Sequence, residues 1–85
     1  DVEKIKDHMP DSEERERQDE KEAVLARSMA RLTEEQRELL VLTRFQHMKY
    51  EEVAELMDTR VANIKVKVHR AILRLREFYF ELENI

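Results

Sequence analysis

The chain has 85 residues, 42% of them charged and 41% hydrophobic, and its 20 acids against 16 Lys and Arg give a net charge of −4. That length holds one small core and excludes two ordinary ones, and a lone Pro10 with no glycine leaves few tight turns, so the composition favours helices. The absence of cysteine excludes a disulfide framework and a thiolate metal site and fits a reducing, cytoplasmic compartment, while the longest apolar run, residues 39–42, falls far below the roughly 20 residues that cross a bilayer.

Residues 1–12 scatter Val2, Ile5 and Met9 among charges around Pro10, which predicts a flexible interdomain linker. The chain begins at Asp1, without methionine, in a polar stretch, and is expected to be a piece of a longer protein. Residues 13–85 are then expected to form one all-α domain of four helices, without winged elements.

A first helix can start at Asp11-Ser12-Glu13-Glu14, where short polar side chains accept free amide hydrogens and acids suit the positive end. Its first half is polar all round. From Ala23 a stripe forms through Val24, Leu25, Ser28, Met29 and Leu32, so its second half should be the part that packs.

Thr33-Glu34-Glu35-Gln36 has the pattern of a capping box and predicts the start of a second helix, running to about Gln46. Leu39, Leu40, Val41, Leu42 and Phe45 surround most of its circumference, so it needs cover on more than one side. His47-Met48-Lys49 breaks the pattern, a short third helix follows from Tyr50 to Met57, and Asp58-Thr59-Arg60 leads into a fourth. That fourth helix carries Val61, Ile64, Val68, Ile72, Leu75, Tyr79 and Leu82 at alternating spacings of three and four. Phe78 is expected at the edge of this stripe, and Phe80 on the outward line that holds Leu73.

A short helix, a tight break and a longer helix with a basic surface form a helix-turn-helix over about residues 50–76. Ala54 falls where the two helices approach closely, Asp58 in the turn, and Ile64 where the second helix needs an apolar anchor. The distribution of charge points the same way. Residues 1–30 carry ten acids against six bases and residues 31–59 seven against four, whereas residues 60–76 hold Arg60, Lys65, Lys67, Arg70, Arg74 and Arg76 with no acid.

At about 100° per residue, Val61, Val68, Ile72 and Leu75 cluster around Ile64. Opposite them stand Ala62, Asn63, Val66, His69, Arg70 and Leu73. Lys65 and Arg76 flank this outward face on one side, and Arg60, Lys67 and Arg74 on the other. A major groove requires such a layout: small, amide and apolar groups at base edges, with cations on both margins for the phosphates. Arg70 suits guanine, Asn63 adenine, and Val66 a thymine methyl. Basic residues on an exposed helix are otherwise ordinary solvated surface. The preceding turn and the acid-free run favour DNA.

Three blocks carry a resemblance: residues 32–40 (Leu-Thr-Glu-Glu-Gln-Arg-Glu-Leu-Leu), residues 50–55 (Tyr-Glu-Glu-Val-Ala-Glu) and residues 64–71 (Ile-Lys-Val-Lys-Val-His-Arg-Ala). In order and spacing they resemble region 4 of the extracytoplasmic-function group of bacterial RNA polymerase sigma factors, over roughly residues 24–78. The resemblance implies recognition of the promoter −35 element in double-stranded DNA, with Asn63, Lys65, Val66, His69 and Arg70 nearest the bases and Arg60, Lys67, Arg74 and Arg76 at the phosphates. It also implies docking of the first three helices on the β flap of the RNA polymerase core, with Leu39, Leu42 and Phe45 as candidates, and an anti-sigma factor as a further partner. The family usually carries glycine near positions 47 and 58, where His47 and Asp58 are expected to adopt left-handed backbone instead. Lys49 and Arg60 replace two capping serines, with Thr59 as the substitute cap expected at the fourth helix.

His8, His47 and His69 are too dispersed to suggest a metal site, no nucleophile motif is present, and a Gly-rich phosphate loop is impossible without glycine. No catalysis, cofactor or metal is expected. Two other readings stay open on the residues alone: the helix-turn-helix output domain of a quorum-sensing-type regulator, and a helical protein-interaction module whose basic helix binds an acidic partner.

Overall fold

The computed structural model describes residues 12–84, which form four α-helices with no strand among them. The expected linker and His8 thus lie outside the described residues, apart from Ser12, which opens α1. The helices are α1 (Ser12–Arg31), α2 (Glu34–Leu40), α3 (Tyr50–Leu56) and α4 (Val61–Glu83), and a π-helical turn over Val41–Phe45 continues α2. Among these residues no helix is long and apolar enough to cross a membrane.

α1, α2 and α3 all lie against α4. With seven residues each, α2 and α3 are too short to hold a helix in water by propensity, so burial must stabilise them. Their contribution to the core is Leu39 and Leu40 from α2 and Val53 and Ala54 from α3, packed on Ile64, Val68 and Ala71 of α4. A fully buried aliphatic side chain contributes roughly 1.5–3 kcal/mol, so the core residues of each short helix offset part of the roughly 1–2 kcal/mol per residue that ordering its backbone costs.

α1 behaves as its sequence predicts. Residues 13–23 are exposed, and cover begins at Val24. Ser28 is completely buried, and its hydroxyl donates to the Val24 carbonyl at 2.7 Å, so the core carries a satisfied polar group.

One expectation about the aromatic cluster is corrected. Phe78, assigned to the edge of the stripe, is 7% exposed, and Tyr79, assigned to the stripe itself, is only half-buried. The cause is α1, which covers the side of α4 that carries Ala71 and Phe78. Phe80 and Leu73 are exposed, as their outward line requires. Partial burial and then the Glu83 carboxylate, which also accepts a hydrogen bond from it, hold the Tyr79 hydroxyl above its ordinary pKa, so the phenol stays neutral.

The turns follow from local chemistry. At α2 the Gln36 amide donates to the Thr33 hydroxyl at 3.2 Å and the Thr33 amide donates to Oε1 of Gln36 at 3.1 Å, which is the reciprocal box read from the sequence. The second helix reaches the expected end, but as a π turn. There the Thr43 hydroxyl donates to the Leu39 carbonyl at 2.7 Å and competes for an acceptor the α-helical ladder would use. His47 (φ 56°) and Asp58 (φ 52°) both occupy the left-handed region. After Asp58 the Thr59 amide donates to the Ala54 carbonyl at 2.9 Å and the Asp58 amide to Glu55 at 3.2 Å, the two bonds of a Schellman ending. After His47 the Met48 amide reaches six residues back to the Leu42 carbonyl at 2.9 Å, the wider π spacing adding one residue to the same closure.

Candidate nucleic-acid interface

The helix-turn-helix geometry rests on three side chains. Ala54 (4% exposed) and Val53 (0%) bring α3 close to α4, Ile64 (0%) anchors α4 beneath them, and left-handed Asp58 reverses the chain between the helices. No larger residue than alanine fits the close approach without pushing the helices apart.

The anchor decides what α4 turns outward. With Ile64, Val68 and Ala71 inside, Ala62, Asn63, Lys65, Val66, Lys67, His69 and Arg70 are all exposed. At about 1.5 Å per residue the stretch from Val61 to Arg70 is roughly 14 Å long, comparable with the width of a major groove of about 12 Å. Val66 is 48% exposed in the middle of this surface. An apolar contact placed among cations suits a ligand that offers both negative charge and apolar groups, as a DNA major groove does.

Neither α3 nor α4 has a side-chain cap from its first flanking residue, and the substitute expected at α4 is not used. Arg60 has extended backbone (φ −96°, ψ 152°) and makes no side-chain cap; its carbonyl accepts from the Asn63 amide at 3.0 Å and from Ile64 at 3.1 Å. Thr59 does not substitute, because its hydroxyl accepts from the side-chain amide of Asn63 at 3.0 Å. That bond orients Asn63 before any ligand arrives, and leaves its carbonyl oxygen and second amide hydrogen for an outside partner. At α3 the Lys49 side chain, a donor only, cannot cap, yet the Lys49 amide donates to the Glu52 carboxylate at 3.0 Å. Half a capping box therefore survives the loss of serine, and the sequence signal for it was Glu52 three residues on.

The cationic margins are narrower than the helical wheel implies. Arg60 and Lys67 flank the outward face, with the Lys67 Nζ 3.4 Å from Oε2 of Glu35. Arg74, expected at a phosphate, instead stacks its guanidinium on the Phe78 ring at 4.5 Å and pairs with Glu77 at 3.0 Å, while Arg31 covers the same ring at 4.4 Å. Phe78 thus joins α1 to α4 through the Arg31 cation–π contact, while Arg74 covers the same ring from within α4. Arg76 borders a different feature, a groove of about 300 Å³ floored by Met29, Leu40, Ile72 and Leu75 and rimmed by Phe45, Arg44 and Arg76.

Of the three side chains named as docking candidates, Leu39 is corrected outright. It is fully buried between α2 and α4 and reaches no partner. Leu42 is half-buried, and Phe45 is 56% exposed at the groove rim, where the π turn leaves it. Helical spacing alone could not separate these roles, because the π turn changes the rotation per residue just beyond Leu40. Among the described residues no group of three or more His, Asp and Glu is placed to hold a metal ion.

Comparison with known proteins agrees with this geometry. The family described as Sigma-70, region 4, matches residues 22–75. Over 57 residues the chain is 30% identical to the RNA polymerase sigma factor YlaC of Bacillus subtilis (strain 168), an alignment that covers 67% of this chain and 33% of that protein. The chain therefore spans a third of the length of this curated relative. No solved structure matches it.

Proposed function

The chain belongs to the Sigma-70, region 4, family, and from that membership we propose that it reads the promoter −35 element as part of a sigma factor that directs RNA polymerase to promoters. The observation that carries the proposal is the exposed face of α4 from Ala62 to Arg70, held outward by Ile64 and Val68 behind it. Asn63, Lys65, Val66, His69 and Arg70 meet base edges in the major groove, and Arg60 and Lys67 meet phosphates. Arg74 and Arg76 are left out of the phosphate set because they serve the Phe78 joint and the apolar groove. Residues 13–85 act as the DNA-binding domain, working in the cytoplasm, with no catalytic step of its own.

The RNA polymerase core is the second partner. The groove between α1, the π turn and α4 has an apolar floor and two arginines on its rim, which suits an amphipathic helix with acidic flanks. We assign it to the β flap, with Phe45 and Leu42 as contacts. An anti-sigma factor covering the same domain belongs to this reading as well.

A gel shift with promoter-like and scrambled duplexes tests the DNA reading. Tighter binding to the promoter-like duplex is expected; equal binding to both, or none, returns the chain to a helical protein-interaction module.

A further inference from the structure

Glu35 and Lys67 lie 32 positions apart in the chain, yet α2 and α4 bring Oε2 of one within 3.4 Å of Nζ of the other. Together with Gln36, Leu39 and Arg70 they line a cleft of about 180 Å³ between the two helices. An acid thus stands beside two of the cations that flank and form the outward face. Both partners are about half exposed, with side-chain exposures of 59% for Glu35 and 44% for Lys67, so the pair stands at the surface a nucleic acid would approach.

On this basis, which rests on the DNA reading above, we propose that Glu35 sets the strength of DNA binding by occupying Lys67 and by opposing the approach of the phosphate backbone. Lys67 can meet a phosphate in only two ways. Either it leaves Glu35, which forfeits the ion pair, or it stays, and the Glu35 carboxylate is carried close to the backbone. At 3.4 Å the pair lies well inside the screening length of about 10 Å at 0.1 M salt, so salt weakens the ion pair without abolishing it, and at this exposure the effect on binding is modest. Phosphate contacts carry no sequence information, so the penalty falls equally on every duplex. Glu35 therefore lowers affinity without changing which sequence is preferred.

A purely structural role for the pair predicts the opposite sign. If Glu35 served to hold Lys67 in place for DNA, or to fasten α2 to α4, its removal would weaken binding or unfold the chain. The test measures binding of the chain to promoter-like and scrambled duplexes across a salt series, for the wild type, Glu35→Gln, Lys67→Ala and the double variant. Glu16→Gln, which removes an exposed acid from the overhanging half of α1, controls for net charge. Glu35→Gln is expected to tighten binding to both duplexes about two- to fivefold at 0.1 M salt. Its plot of log affinity against log salt should steepen by about one. Most of the gain should vanish in the double variant, and thermal unfolding should show Glu35→Gln folded. Unchanged or weaker binding by Glu35→Gln, a gain matched by Glu16→Gln, or a gain that survives Lys67→Ala overturns the proposal. If the wild type already binds both duplexes equally or binds neither, the DNA reading fails instead, before the role of Glu35 is reached.

Discussion

The guanidinium of Arg37 closes the end of α1, its Nε donating to the Met29 carbonyl at 3.0 Å. Its Nη2 donates to Leu32 at 2.9 Å and to Ala30 at 3.2 Å, so a single side chain from α2 reaches three carbonyls at the end of α1 and just beyond it, where Met29 also accepts from the Leu32 amide at 3.2 Å. The positive charge also sits at the negative end of that helix. Arg37 thereby fixes how α1 meets the rest of the domain.

Arg37→Ala is expected to destabilise the chain by about 2 kcal/mol, since charge-assisted bonds to partly buried carbonyls are lost together. Arg37→Lys should recover less than half of that, because an ammonium cannot reproduce the fork. Urea unfolding with an unchanged slope measures both; a shift under about 0.5 kcal/mol for the alanine variant would mean that water serves these carbonyls as well.

The left-handed backbone at Asp58 makes a second prediction. With φ at 52°, Asp58 carries strain that glycine would not, although glycine also loses more freedom on folding. Asp58→Gly should leave the melting temperature equal or raise it by up to about 5 °C. A clear drop would show that the Asp58 side chain stabilises the turn.

Arg70 and Lys67 stand three residues apart on α4, and the proposed DNA reading gives them different roles, at a base edge and at a phosphate. Arg70→Ala should weaken discrimination at one base pair by about 1–3 kcal/mol. Lys67→Ala should weaken all duplexes alike, and only modestly, because Glu35 already occupies Lys67 in the free chain. Binding to a set of single-base variants separates the two, and a Lys67→Ala profile that depends on sequence would move that residue into the groove.

Phe45 supplies the fourth. At 56% exposure it contributes little to the core, so Phe45→Ala should change the free energy of unfolding by less than about 1 kcal/mol. Binding to the RNA polymerase core should fall by about tenfold or more if the ring is an anchor of the kind that dominates interfaces. Retained core binding would remove the apolar groove from the docking site.

Much of this was legible from residue order. The Thr33 capping box, the packing half of α1 and the Ile64 stripe depend on interactions within about five positions, and helical spacing reports those directly, whereas the left-handed His47 and Asp58 were expected from the family resemblance. The outward face of α4 was legible for the same reason, since a rigid helix whose buried side is known has its exposed side determined. Other features required neighbours that are distant in the chain. Arg37 lies in an ordinary charged stretch, and Glu35 reads as one more helix acid until α4 is placed beside it. Phe78 and Tyr79 exchanged their expected settings because α1 covers that side of α4. Leu39 and Phe45 took opposite fates because the Thr43 hydroxyl and the π turn alter the rotation between them. Period and local hydrogen bonding thus determined the helices and the outward face of α4 from sequence alone. Which cations stay free on that face, and which apolar residues reach a partner, was decided by the tertiary arrangement, because charge pairing and burial depend on what lies across a contact.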